Sequence, residues 1–357
     1  MRFGIMALQI GALIPPDIAP AQIPAHVAGF DHAALVRQLH DYGFNTVELG
    51  GDLVMFMPHT YAPPAIERLA ALQAETGLKY TVHLPLWSIE PSALLEPVRA
   101  GSVASMVQVV RATQPLDVEA YVVHATGSLA AEFYRMALPE MARFVILKQF
   151  QARALQSLQA LMGETGVPSR KFAVETIEFP LDLTMELVEA MDMSYCLDTG
   201  HVLCGFSGPV DLFDTLDKLL PRLADIHLHD SPLWTPGTDI VYGKDHSALG
   251  TGDLDLGRFL DHVHHAGYGG PLVFELTVPE ALASLEVVRQ VRHVLDAVAG
   301  AIGLVFHRDD APLQVQLAAV GAHRAVIERE PQVTGRLVGV DPAGRLARYH
   351  RSPHRLR

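Results

Sequence analysis

The sequence predicts a (β/α)8 barrel over residues 1–299, followed by an extension over 300–357. Three observations lead there. Eight short apolar runs, rich in Val, Leu, Ile and Tyr, read as buried strands. Helical patterns alternate with them, as a parallel sheet covered by helices requires. Six of the runs also end in a metal-ligand side chain just as the run gives way to a loop. Parallel strands that deliver polar groups at their C-terminal ends are how such a barrel builds its active site.

The predicted strands are 2–8, 45–49, 79–84, 120–124, 171–176, 194–198, 224–229 and 271–276. The first, in RFGIMAL, reads as a strand better than as a signal peptide, because no small-residue cleavage site follows. The helix at 31–43 has Asp31 as N-cap and Gly43 as its C-terminal stop; that at 62–77 has Pro near its start and Gly77 at its end. Further helical patterns occupy 139–166, 211–223, 255–267 and 279–300. A doubly wound open sheet is the competing fold, but no glycine fingerprint follows the first strand.

Composition limits the function. Of 357 residues 49% are hydrophobic and 19% charged, which supports a large core. A net charge of −13 disfavours a nucleic-acid partner and favours a small ligand or a metal. Two cysteines, Cys196 and Cys204, make no disulfide framework, and a reducing cytoplasm fits. No apolar run reaches the ~20 residues of a membrane span. A homo-oligomer is compatible with all of this. Residues 300–357 hold nine Arg, no Lys and five acids, so this segment carries +4 and the remainder −17. Within it, Asp341-Pro342-Ala343-Gly344 suggests a hairpin turn.

The candidate ligands sit at the strand ends. They are His83, His124, Glu175, Asp198 with His201, His227 with His229, and Glu275. Imidazole with carboxylate is a divalent-metal vocabulary that suits Zn2+, Mn2+ or Fe2+ alike. His227 and His229 are two apart and share a face on a strand; His227 lies deeper and is the better ligand, leaving His229 to orient a ligand or bind substrate. Glu175 and Glu275 can bridge metals or act as base and acid. The long loop from 230 to 253 carries Trp234, Tyr242, Lys244, Asp245 and His246 and reads as an active-site lid. Trp87, Trp234, Tyr242 and Phe56 are candidates for an apolar wall around a bulky ligand.

The stretches CLDTGH, IHLHD and GKDHSALGTGDLD resemble the xylose-isomerase-like TIM barrel superfamily, which holds endonuclease IV and sugar-phosphate isomerases and epimerases. YTVHLPL, with CLDTGH and KDHSALG, is also similar to its cobamide-remodelling phosphodiesterases. The resemblance to endonuclease IV implies a first metal on His83, His124 and Glu175. It implies a second on Glu175, Asp198, His227 and Glu275, and a third on His201 and His246. That pattern has an Asp two residues before the last His, where this chain has Lys244, with the acid one place on at Asp245. The departure sets the third ion apart, and leaves Lys244 for a substrate phosphate. The expected activity is hydrolysis of a small phosphodiester, with a cobamide nucleotide loop as the candidate that the resemblance names. The alternative is a sugar or sugar-phosphate isomerase or epimerase using one metal, with Glu175 and Glu275 moving the proton.

Overall fold

In the computed structural model, which describes residues 1–6, 13–14 and 17–301 (the backbone alone from 293), eight parallel strands close into one barrel in chain order. They are β1 (Arg2–Met6), β2 (Thr46–Gly50), β3 (Lys79–His83), β4 (Val118–Val123), β5 (Phe172–Glu175), β6 (Ser194–Asp198), β7 (Leu223–His227) and β8 (Pro271–Phe274). Phe3 of β1 pairs with Leu272 of β8, which closes the cylinder. Each predicted strand is present; residues 7 and 8 of the first prediction lie outside the described residues.

The main helices are α1 (His32–Asp41), α2 (Pro63–Thr76), α3 (Glu96–Thr113), α4 (Ser128–Arg135), α5 (Glu140–Thr165), α6 (Leu181–Met191), α7 (Leu212–Leu219), α8 (Leu256–His265) and α9 (Val278–Ala301). Their ends obey local chemistry. The Asp31 carboxylate accepts the backbone N–H groups of Ala33 and Ala34 and starts α1. Gly77, at φ +73°, supplies the left-handed stop of α2. Gly43 stands one residue beyond the Tyr42 cap of α1 rather than at it. Helices α3, α4 and α6 are not picked out by the sequence pattern. In α3, Ser102, Val103, Met106, Val107, Val109, Val110 and Thr113 are all buried, so the buried surface is broad and the amphipathic contrast is weak.

The core lies between sheet and helices. Tyr80, Phe44, Phe172, Phe259 and Phe274 are completely buried there, each burial stabilising by about 1.5–3 kcal/mol. A smaller cluster of Ala120, Val122, Ala173 and Cys196 is also enclosed. Cys196 is a free buried thiol, and burial pushes its pKa up. The opposite end of β1 begins with Arg2, whose guanidinium pairs with Glu119 at 2.7 Å. No helix among the described residues is long and apolar enough to cross a membrane. The extension predicted beyond 299, with its hairpin, lies outside the described residues apart from the end of α9.

Candidate metal centre

The strand ends converge. Asp198 lies opposite His227 in the β6–β7 register, and Glu175 opposite Cys196 in β5–β6. Glu175 is the hub. Its Oε2 lies 3.1 Å from His83 Nε2 and 2.8 Å from His124 Nε2. Its Oε1 lies 3.3 Å from His201 Nδ1 and 3.4 Å from His227 Nδ1. Glu275 Oε2 lies 3.3 Å from His227 Nδ1 and 3.0 Å from His246 Nε2.

Four overlapping sets of side chains bring donor atoms within 4.8 Å of one another. They are His83, His124 and Glu175; Glu175, Asp198, His227 and Glu275; His201, Asp245 and His246; and Asp198, His229, His246 and Glu275. All the sequence-predicted ligands fall in these sets. Asp245, which the strand-end pattern does not pick out, joins the third. Its Oδ2 lies 2.5 Å from His246 Nδ1 and 3.9 Å from His201 Nε2. The carboxylate next to His246 therefore reaches the place left by Lys244. Lys244 is exposed and belongs to none of the four sets.

The donor chemistry fits divalent ions. His83 Nδ1–H donates to the Leu84 carbonyl at 2.9 Å, and His201 Nδ1–H to the Thr176 carbonyl at 3.0 Å. A carbonyl can only accept, so each ring keeps a proton on Nδ1, and once Nε2 gives up its own proton its lone pair is free for an ion. Metal-binding histidines are oriented in this way. His227 is fully buried, yet neither ring nitrogen has a hydrogen-bond partner of good geometry. Such a group is costly unless something coordinates it. Glu175, Asp198 and Glu275 form no ion pair with Lys or Arg among the described residues, only with histidines.

That electrostatic frame sets the protonation of the centre without metal. Burial raises the Glu175 pKa, but the His124 and His227 charges outweigh it and hold the carboxylate well below the usual range. Burial lowers the His83 pKa, but Glu175 outweighs it and raises the imidazole to about 9. His246 is likewise raised to about 11, burial being outweighed by Asp245 and Glu275. His229 differs: burial, opposed by Asp198, holds its pKa below the ordinary value. Its Nε2 accepts the backbone N–H of Glu275 at 2.9 Å, and its Nδ1–H donates to Asp198 Oδ2 at 3.1 Å. Both nitrogens are engaged, an arrangement that orients Asp198 and leaves neither free for a substrate.

Two more acids lie beneath the ligands, and the strand-end pattern misses them. Glu48 of β2 is completely buried; its Oε2 accepts the Thr81 hydroxyl at 2.8 Å, and its Oε1 lies 3.1 Å from His227 Nε2. Asp225 of β7 is also buried, and burial, with the Glu48 charge, pushes its pKa well up. Both are legible only as acids two residues inside a strand end, on the face that alternation assigns to the ligands. Of the expected apolar wall, Phe56 and Trp87 pair edge-to-face at 6.2 Å and are about half exposed.

A model of the xylose isomerase-like TIM barrel family matches residues 36–297. The chain belongs to that family. It is similar to an uncharacterized protein of Methanocaldococcus jannaschii, 19% identical over 247 residues, which covers 67% of this chain and 78% of the relative. Among solved structures it is similar to a D-tagatose 3-epimerase-like protein, with 18% identity and a TM-score of 0.61, covering 84% of this chain and 100% of that one. It is also similar to endonuclease IV from Thermus thermophilus, with 20% identity and a TM-score of 0.57, covering 82% and 100%. At such identities the likeness is one of fold.

Proposed function

We propose that this chain is a divalent-metal-dependent hydrolase of a small phosphodiester. The observation that carries the proposal is the contiguity of the donor sets, with Glu175 common to the first two and His201, Asp245 and His246 forming a third beside them. A one-ion isomerase needs Glu175, Asp198, His227 and Glu275 and leaves His83, His124, His201, Asp245 and His246 without a task. When bound, divalent ions supply Lewis acidity to a phosphoryl group and lower the pKa of water. Zn2+ and Mn2+ both suit the mixed donor set.

The chain's own groups have distinct parts. Glu175 holds the two histidine pairs together. Glu275, less deeply buried than Glu175, would exchange a proton with the incoming water or the leaving oxygen. His229 fixes Asp198. Lys244, which is exposed, can meet an anionic oxygen of the substrate. A net charge of −13 favours a small diester over a polynucleotide. The cobamide nucleotide loop is the specific candidate that the sequence resemblance supplies.

A second reading is a sugar or sugar-phosphate isomerase or epimerase. It is favoured by the four-donor set flanked by Glu175 and Glu275, and by an epimerase-like protein among the similar folds. Metal content separates the two. Protein purified without chelator should hold at least two ions, and His83→Ala or His124→Ala should each cost one. It should also cleave bis-p-nitrophenyl phosphate with added Zn2+ or Mn2+. A single ion indifferent to both substitutions, with turnover of a ketose and none of the diester, would reverse the assignment.

A further inference from the structure

The third donor set differs from the others in its support. His201 follows β6, but Asp245 and His246 sit in the long loop between β7 and α8. One aromatic residue of that loop, Tyr242, touches the supports of both halves. Its hydroxyl donates to Glu178 Oε1 at 2.6 Å and accepts from Arg135 Nη1 at 2.6 Å. Arg135, at the end of α4, also pairs with Glu178, and its guanidinium lies 4.9 Å from the Tyr242 ring centroid. Three separate segments of chain are thereby clasped together.

From this clasp, two routes lead to the third set. Along the loop, Gly243 turns at φ +74° and its backbone N–H donates to Asp245 Oδ1 at 2.9 Å. The other carboxylate oxygen then faces His246. Across space, the Tyr242 ring packs on Phe206 at 5.6 Å, and Phe206 packs on His201 at 5.1 Å. Tyr242 thus steadies Asp245 and His246 through the backbone and His201 through an aromatic column. None of these contacts reaches His83, His124 or Glu275.

We propose that Tyr242, held by Glu178 and Arg135, is the positioning residue of the third metal set and governs its occupancy independently of the other two. This rests on the metal reading above. The test uses the full chain, stripped with chelator and titrated with Mn2+, with ions per chain counted by elemental analysis and stepwise affinities measured by calorimetry. Wild-type protein should take up three ions. Tyr242→Phe keeps the ring and removes the hydroxyl, so the weakest ion should bind about 10-fold more weakly or worse, the range typical of lost outer supports, with the first two unchanged. His246→Ala marks which ion is the third. Glu178→Ala breaks the clasp from the other side and should repeat the effect, which keeps the test open if the tyrosine variant fails to fold. Wild-type affinities for all three ions in a folded Tyr242→Phe or Glu178→Ala protein overturn the clasp and leave the metal reading standing. A wild-type chain that takes up fewer than three ions sinks the three-ion arrangement, and the clasp with it.

Discussion

The strand-borne and the loop-borne parts of the metal centre are built by different means. His83, Glu175, Asp198 and His227 end strands whose register is fixed by backbone ladders, and each is nearly or completely buried. Asp245 and His246 lie in a loop, and the His246 side chain is 31% exposed. The first group is positioned by the same hydrogen bonds that close the barrel. The second depends on a few side-chain contacts and one close approach. Precision in the strand set is therefore inseparable from folding, whereas precision in the loop set can be lost while the barrel persists.

The contrast can be broken or sharpened by experiment. The largest effect is expected at Glu175. Glu175→Gln removes the charge shared by two sets, so two ions should be lost in elemental analysis. Diesterase kcat/KM should fall by more than about 1000-fold, the several kcal/mol that Lewis-acid ions supply. Retention of all ions would deny Glu175 its central place.

Next comes the response to pH. In stripped protein His83 is raised to about 9, above its ordinary value of 6.5. The native state then holds a proton that the unfolded chain releases. Its stabilisation is complete below about pH 6.5 and is lost as pH rises through 9, amounting to about 3 kcal/mol. His246, raised to about 11, loses its share later. Thermal melts of stripped protein should show a declining Tm between about pH 7 and 9.5, which saturating metal abolishes, since ions take the place of these protons. An equal decline with metal present would mean that the histidines are not its ligands.

A smaller effect is expected at Gly200. The backbone carbonyl of Asp245 lies against Gly200, in the space that a β-carbon would occupy. Gly200→Ala should push the loop outward and weaken the third ion by about 10- to 100-fold while the other two stay bound. The smallest is at Glu48, beneath His227. Glu48→Gln should weaken only the ion held by Glu175, Asp198, His227 and Glu275, by about 10-fold in competition titrations. Loss of the third ion instead would erase the distinction between the two supports.

What the sequence reveals follows the same division. Strand ends are legible because an apolar run stopping at His or Glu is a local pattern, and parallel β/α alternation then brings such ends to one face. The loop set is harder to read. Asp245 is visible in the sequence, but its match to the family pattern is one residue out of place; loop backbone can absorb that offset where a strand cannot, so its part in the third set shows only in three dimensions. The clasp is illegible because Arg135 and Glu178 are 107 and 64 residues from Tyr242. Glu48 escapes because attention to strand ends hides an acid two residues deeper. Helix α3 escapes because a broadly buried helix loses its two-faced signature; α4 has only eight residues to show a period, and α6 does carry a helical stripe in Leu181, Thr184, Leu187 and Val188, short enough to pass for a connection between β5 and β6.

One carboxylate turned to two neighbours has a consequence for supply. With Oε2 directed at one histidine pair and Oε1 at another, Glu175 cannot settle for one guest without being set in place for the next. The affinities of the first two ions should therefore be linked: under scarcity, an ion held at one histidine pair changes how readily the other pair takes its own.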